Sequence, residues 1–295
     1  VANTRDIKNR IKSISNTRKI TSTMEMVSTA KMKKLQMRLN QSKPYDDKIT
    51  QIMQNLTDSG VTLEGNPLFR KSEHPSRVMI FQITGNRGLC GSYNTNVIEN
   101  TRSFRQKLES EGIDVDLYVI GKKAINFYKF MKESMFKQEV NPDDKVSFDD
   151  AAAFADELKN SFISGEYDEI YLSYTRVLSS TSQKPHIMRL LPILPEETES
   201  NDTAKSYGSD LEYIFEPNPD RIFSYILPLY LKMKVFASFL ESAFSEHFAR
   251  RVAMKNATDA SKDMIRDLTL TYNRVRQAKI TTEIAEIVGG AAALE

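Results

Sequence analysis

The sequence predicts an α/β protein in which two long terminal helices pair antiparallel as a coiled coil and flank a central domain of alternating strands and helices. Three observations carry that prediction. No glycine or proline occurs before Pro44, and none occurs between Leu229 and Val288. Between those stretches, apolar runs rich in β-forming residues alternate with amphipathic ones.

The first helix starts at a weak capping signal, Asn3 with Asp6 three residues on. Ile7, Ile11, Ile14, Thr17, Ile20, Met24, Val27, Ala30, Leu35 and Leu39 then recur at an average spacing of about 3.5, the narrow seam of a coiled coil. From Val1 to Lys43 such a helix measures roughly 65 Å. After Pro44, the positions Ile49, Ile52, Met53 and Leu56 carry it on with a kink, so residues 1–59 form the N-terminal element. Residues 60–76, with Gly60, Gly65, Pro67 and Pro75, read as a linker.

Residues 77–210 form the central domain. "RVMIFQIT" (77–84), "VDLYVIG" (115–121) and "EIYLSYTRV" (169–177) read as strands, with helices near 94–110, 122–132 and 148–164. That alternation means a parallel sheet covered by helices. "KPHIMRLLPIL" (184–194) adds an edge strand, since its prolines suit only an edge, and a polar loop follows.

The C-terminal element, 211–295, opens on Asn218 as cap, Pro219 at the first helical position and Asp220 beside the positive end of the helix dipole. Pro228 kinks the entry, and the stretch from Leu229 to Val288 is roughly 90 Å of helix. Apolar positions step through Phe236, Phe239, Leu240, Ala243, Phe244, Phe248, Val252, Met264, Leu268, Val275, Ile280, Ile284 and Ile287, thinning to Ala, Met and Thr around 249–262. Both terminal helices outrun a globule of about 150 residues, so each finds its partner in the other.

Composition narrows the function. Apolar stretches fall short of the roughly 18–20 residues a spanning helix needs, and no signal-type apolar block follows the basic start. One cysteine, Cys90, excludes an internal disulfide framework and a multi-cysteine metal site, while His74, His186 and His247 are not at ligand spacing. No metal or cofactor is expected. Charge is segregated: residues 1–43 hold eleven basic against two acidic groups, residues 229–288 ten against seven, and the remainder sums to −10. Such polarity marks an electrostatic partner, either nucleic acid or an acidic protein surface.

"GNRGLCGSYN" (85–94) lies between a strand and a helix, where a phosphate-binding loop would be, and leaves open a nucleotide-dependent enzyme. Its Gly85, Gly88 and Gly91 match neither GxGxxG nor GxxxxGK[ST], and Gly121-Lys122 stands where a dinucleotide site wants an acid, so a tight structural turn is the plainer reading. Cys90 within it is expected to be a buried thiol. Asp143-Asp144 and Asp149-Asp150 read as loop and helix-start residues, and His247 as a seam-edge residue between Phe244 and Phe248. Met24, Met26, Met32 and Met37 are spread round the first helix, giving either adaptable packing or a smooth polarizable surface. A basic nucleic-acid-binding coiled coil also fits the charge, although residues 1–43 contain no aromatic side chain to stack on bases.

"IKNRIKSISNTRKITSTMEMVSTAKMKK", then "KPY", "GNRGLCGSYN" and "ARRVAMKNATDASKDMIRDLTLTYNRVRQAKITTEIAEIVGGAAA" resemble, in order and over the whole length, the gamma subunit of F-type ATP synthases. The resemblance implies an antiparallel coiled coil beside a Rossmann-like α/β domain. It implies a non-catalytic central-stalk rotor that transmits torque between a proton-driven membrane ring and a hexamer of alternating alpha and beta subunits. The partners implied are alpha, beta, epsilon and the c-ring, with no nucleic acid, and with the membrane reached only through the complex, on the cytoplasmic side of a bacterial inner membrane.

Site residues carry over by motif. Arg276 and Gln277 in "NRVRQAKIT" match the pair that binds the catch loop of beta, where a guanidinium fork suits a carboxylate as Lys does not. Met24 matches the collar position opposite an acidic segment of beta, with Lys31, Lys33 and Lys34 supplying positive charge. Ile284 to Leu294, including Ile287, match a slim tip running in an apolar sleeve. Tyr207, Phe215 and Glu216 match the foot on the ring, beside epsilon. The cysteine-bearing regulatory insert of chloroplast relatives has no counterpart.

Overall fold

The structure, a computed structural model, describes residues 4–58, 66–179, 182–193 and 219–292. In chain order these are α1 (Thr4–Asp58), β1 (Arg77–Ile83), α2 (Tyr93–Ser110), β2 (Asp114–Ile120), α3 (Lys122–Met131), β3 (Lys137–Glu139), α4 (Phe148–Ile163), β4 (Glu169–Ser179), β5 (Ser182–Leu191) and α5 (Pro219–Ala292). Two compact units result: residues 31–249, and residues 1–30 with 250–295. The expected α/β class stands, and α1 and α5 each run on through Pro44 and Pro228.

In the larger unit the sheet order is β3-β2-β1-β4-β5. β1 is parallel to both β2 and β4, β3 is parallel to β2, and β5 runs antiparallel to β4 at the edge, with Pro185 in it. Buried from Val78 to Ile83, β1 reads in sequence as a near-continuous apolar run, interrupted only by Gln82, because both of its faces are covered. Strand alternation sends Val78 and Ile80 to one face, with Val115, Leu117 and Val119, against Ile98, Ala124 and Tyr128 of α2 and α3. Met79, Phe81 and Ile83 go to the other, into a core with Leu158 and Phe162 of α4, Phe239, Leu240 and Phe244 of α5, and Leu35, Ile49 and Met53 of α1. Phe81 meets Tyr118 and Phe239 edge-on, at centroid distances of 4.9 and 6.1 Å. Each buried Leu or Phe contributes about 1.5–3 kcal/mol, so this face is what holds α5 to the sheet.

The connections follow from local chemistry. Ser147 and Asp150 cap α4 reciprocally: the Ser147 hydroxyl accepts from Asp150 N at 3.1 Å, and the Asp150 carboxylate accepts from Ser147 N at 2.9 Å. The Ser147 hydroxyl, which also donates to Asp150 Oδ2 at 2.7 Å, and then the Ser147 N–H hold the Asp150 carboxyl below its ordinary range. Gly121, between β2 and α3, has φ +109°, and a Cβ there would lie 2.2 Å from the Thr84 carbonyl oxygen. In the linker, Pro67–Phe69 forms a single 3-10 turn whose Leu68 is buried and accepts at its carbonyl from Ile193 N, 2.9 Å away.

β3 was not foreseen, since "KQE" carries no apolar run. The expectation that no stretch reaches the length of a membrane span is corrected: one window of α5 is long and apolar enough by length and composition. Of that window 44% is buried inside the chain, as befits a helix that packs on the sheet.

Candidate functional site

In the smaller unit α1 and α5 pair along a heptad seam. On α1 the covered positions are Ile7, Ile11, Ile14, Arg18, Thr21, Glu25 and Ser28, an alternating four-three spacing. On α5 they are Met254, Ala257, Ser261, Ile265, Leu268, Tyr272 and Val275. The Thr21 and Thr258 hydroxyls lie 2.8 Å apart. Counting outward from that pair in opposite directions sets Thr4, the start of α1, against Val275, where the cover of α5 ends. The pairing is therefore antiparallel.

The phase of the seam differs from the expectation. Ile20 and Val27, expected to face inward, are 61% and 51% exposed, and the buried neighbours are Thr21 and Ser28. Choosing the most apolar residue at each turn displaced the seam by one residue between positions 17 and 27. The seam there is carried by the small hydroxyl side chains of Thr21 and Ser28, alternating with Arg18 and Glu25. Ile20, Met24 and Val27 instead form an outward stripe at i, i+4 and i+7, with Met24 half-covered and Met26 exposed beside it. On α5, Val252 and Met264 are likewise exposed.

Beyond Val275 the helix is bare. Every described side chain from Arg276 to Gly289 is exposed, including Arg276, Gln277, Ile280, Ile284, Ile287 and Val288. Four large aliphatic residues, Ile280, Ile284, Ile287 and Val288, thus stand exposed on one helix segment.

In the larger unit the three lysines separate. Lys33 and Lys34 are exposed. Lys31 Nζ pairs with the Asp144 carboxylate at 3.1 Å, and Arg38 donates to the carbonyls of Asp144 and Val146, so this part of α1 is tied to the segment before α4. Against the cost of burial, the Lys31 bond draws the Asp144 carboxyl below its ordinary range. Tyr207, Phe215 and Glu216 lie outside the described residues.

The glycine loop closes on its own chain. Gly85 N donates to Asn94 Oδ1 at 2.8 Å and Gly85 O accepts from Lys123 N at 3.1 Å. Asn86 Oδ1 accepts from Lys122 N, and Asn86 Nδ2 donates to Asn141 O and Asp143 Oδ1. A phosphate cradle needs backbone N–H groups pointing into open space. Here the Gly85 N–H is already taken, and the carboxylate of Glu246 from α5 stands over Gly85, where a Cβ would meet its Oε2 at 2.7 Å. The tight-turn reading fits this loop and Cys90 is buried. Among the described residues no group of His, Cys, Asp and Glu is placed to hold a metal ion. Sequence reasoning passed over Glu246, because nothing local links position 246 to position 85.

Comparison with known proteins agrees with this architecture. A family model described as ATP synthase matches residues 3–294. The ATP synthase gamma chain of Leptospira biflexa is 43% identical over 294 residues, covering 100% of both chains. That of Gemmatimonas aurantiaca is 38% identical over 296 residues, again covering 100% of both. Among solved structures, a chain in the central stalk and c-ring of the Tetrahymena thermophila mitochondrial ATP synthase matches with TM-score 0.57 and 25% identity, over 81% of this chain and 99% of that one. A chain of the Euglena gracilis mitochondrial ATP synthase, from its OSCP/F1/c-ring structure, shares the fold with TM-score 0.66 and 22% identity, over 99% and 94% of the two chains. Matched from end to end by relatives of one kind, the chain belongs to the family of ATP synthase gamma chains.

Proposed function

We propose that this chain is the central-stalk rotor of an F-type ATP synthase, non-catalytic itself, turning inside a hexamer of alpha and beta subunits whose beta subunits carry the ATP chemistry. The observation that carries the reading is the bare segment Arg276–Gly289, an apolar helix face left without cover by its own chain. It suits a sleeve formed by the hexamer, with Ile284 and Ile287 as running surface and Arg276 and Gln277 offering donors to the catch loop of beta. The stripe Ile20–Met24–Val27 makes the shaft unequal from side to side, so each orientation offers a beta subunit a different surface. A rotor biases an open or closed site only through such differential contacts. Exposed Lys33 and Lys34 meet the acidic segment of beta, while Lys31 shares its charge with Asp144.

The foot, with Tyr207, Phe215 and Glu216, rests on the c-ring beside epsilon. The complex sits at the inner membrane of a bacterium, on the cytoplasmic side, and this chain reaches the membrane only through it. The functional parts are residues 1–59, the linker 60–76, the Rossmann-like domain 77–210 and residues 211–295.

Reconstitution tests the proposal. Mixed with alpha and beta subunits, the chain co-purifies with the hexamer, and a chain that stays apart from them refutes the rotor reading. Arg276→Ala lowers ATP turnover of the assembled complex at least about tenfold, the scale of one lost charge-assisted contact. Because Arg276 is exposed, melting of the free chain stays unchanged. Unchanged turnover removes the catch assignment.

A further inference from the structure

Gly85 needs an explanation that its backbone does not supply. Its φ lies outside the left-handed region, unlike Gly91 and Gly121 in the same turns. What it lacks is room: a Cβ at position 85 would stand 2.7 Å from Glu246 Oε2 and 2.8 Å from Glu246 Cδ. Glu246 is only 6% exposed, so its carboxylate cannot simply swing into solvent. Beneath it, Thr84 N and Oγ1 donate to Ile120 O, and Asn141 Nδ2 donates to Thr84 O, which makes the floor of the notch rigid.

Apart from the Glu241 carboxylate, which accepts from Val177 N of β4, the contacts of α5 with the sheet are of a different kind. Phe239, Leu240 and Phe244 are held by apolar burial, which is strong but non-directional, so it resists separation better than it resists sliding or rolling. A charged side chain set into a notch fixes both axial register and rotation, as a knob in a hole does. Burying a carboxylate is costly even where partners offset it, and the best-attested use of such buried charges is to set registry. Tyr93, at the start of α2, belongs to the same junction. Burial, with the Glu246 charge as the next cause, pushes its hydroxyl well above the ordinary tyrosine range.

We propose that Glu246 is a positioning residue that keys α5 to the loop after β1 through the gap left by Gly85, so that the Rossmann-like domain and α5 turn as one body under torque. The glycine-rich loop thus serves as the keyway for the shaft helix. This rests on the rotor reading above.

The test uses full complexes in inverted membrane vesicles, reading ATP-driven proton pumping and ATP hydrolysis per assembled complex. Gly85→Ala, which crowds the notch, and Glu246→Asp, which empties it, each lower the ratio of pumping to hydrolysis at least about twofold, the lower end of the coupling between contacting side chains. The pair Gly85→Ala with Glu246→Asp refills the notch and recovers most of the ratio. Glu246→Gln keeps the shape and stays near wild type. Wild-type ratios in both assembled single variants, or losses that multiply in the pair, overturn the keying role. Should Gly85→Ala not assemble, Glu246→Asp read against Glu246→Gln decides the same point. Failure of the wild-type chain to join alpha and beta refutes the rotor reading instead, and the two failures are distinct.

Discussion

Glu241 of α5 gives the sharpest test of the energetics. Its side chain is only partly exposed, and its carboxylate accepts from Val177 N at 2.7 Å, where β4 meets its bulge. Around it stand Arg176, Asp46 and Lys234, and Lys234 Nζ is itself 3.0 Å from Asp46. Burial is the largest influence and pushes the carboxyl from 4.5 up to about 7, against the opposing pull of the Val177 N–H and Arg176. The folded chain therefore binds this proton more tightly than the unfolded chain does. Stability falls as pH rises from about 4.5 to about 7 and is level above that, where the group is ionised in both states. At about 1.4 kcal/mol per tenfold in proton affinity, the interval corresponds to a loss of up to about 3 kcal/mol. Glu241→Gln keeps an acceptor for Val177 N–H and removes the charge. It is expected to match wild type near pH 4 and to exceed it by up to about 3 kcal/mol at pH 8. Because the chain has no tryptophan, urea unfolding is followed by far-UV circular dichroism at each pH. Carboxyls held below their ordinary range, such as Asp144 and Asp168, slope the other way at lower pH and cancel in the wild-type-minus-variant difference. A difference that is flat from pH 5 to 8, or a variant less stable at pH 8, refutes the reasoning.

Two further predictions concern packing. Gly121→Ala combines a positive φ with a Cβ 2.2 Å from a backbone oxygen, so a loss of more than about 2 kcal/mol is expected in thermal melts, and a neutral result would mean this turn is not built as described. Thr21→Leu overfills the seam and costs about 1–3 kcal/mol, while Ile20→Thr on the outward stripe changes stability by no more than about 0.5 kcal/mol, both read from melts of the full chain. The reverse order would restore Ile20 to the seam.

Much of the fold was legible because local signals and tertiary structure agree. Glycine-free, proline-poor stretches became α1 and α5, and β-rich runs became β1, β2 and β4 within two residues of the expected limits. The seam phase was legible at Ile7, Ile11, Ile14 and Leu35, where apolar residues mark it, and illegible between them, where Thr21 and Ser28 carry it. Hydrophobicity points the wrong way where the outward face, with Ile20 and Val27, is more apolar than the seam itself. β3 exists through its pairing with β2 and has no pattern of its own. Of the residues the family motif picked out, Arg276, Gln277, Ile284 and Ile287 are exposed on the bare helix, as binding to another chain would require. It could not foresee that Lys31 pairs with Asp144, 113 residues away, nor that Gly85 answers to Glu246. Couplings across such intervals leave no trace in periodicity.

The hydroxyl-lined middle of the α1–α5 seam bears on how the molecule comes apart. Arg18, Thr21, Glu25 and Ser28 bury little apolar area, so this stretch of the two-helix rod has the lowest local resistance to opening. A free chain breathes there first when warmed. In the rotor arrangement proposed above, a ring of other subunits would hold the same stretch shut from outside, so that assembly itself would turn a soft rod into a rigid axle.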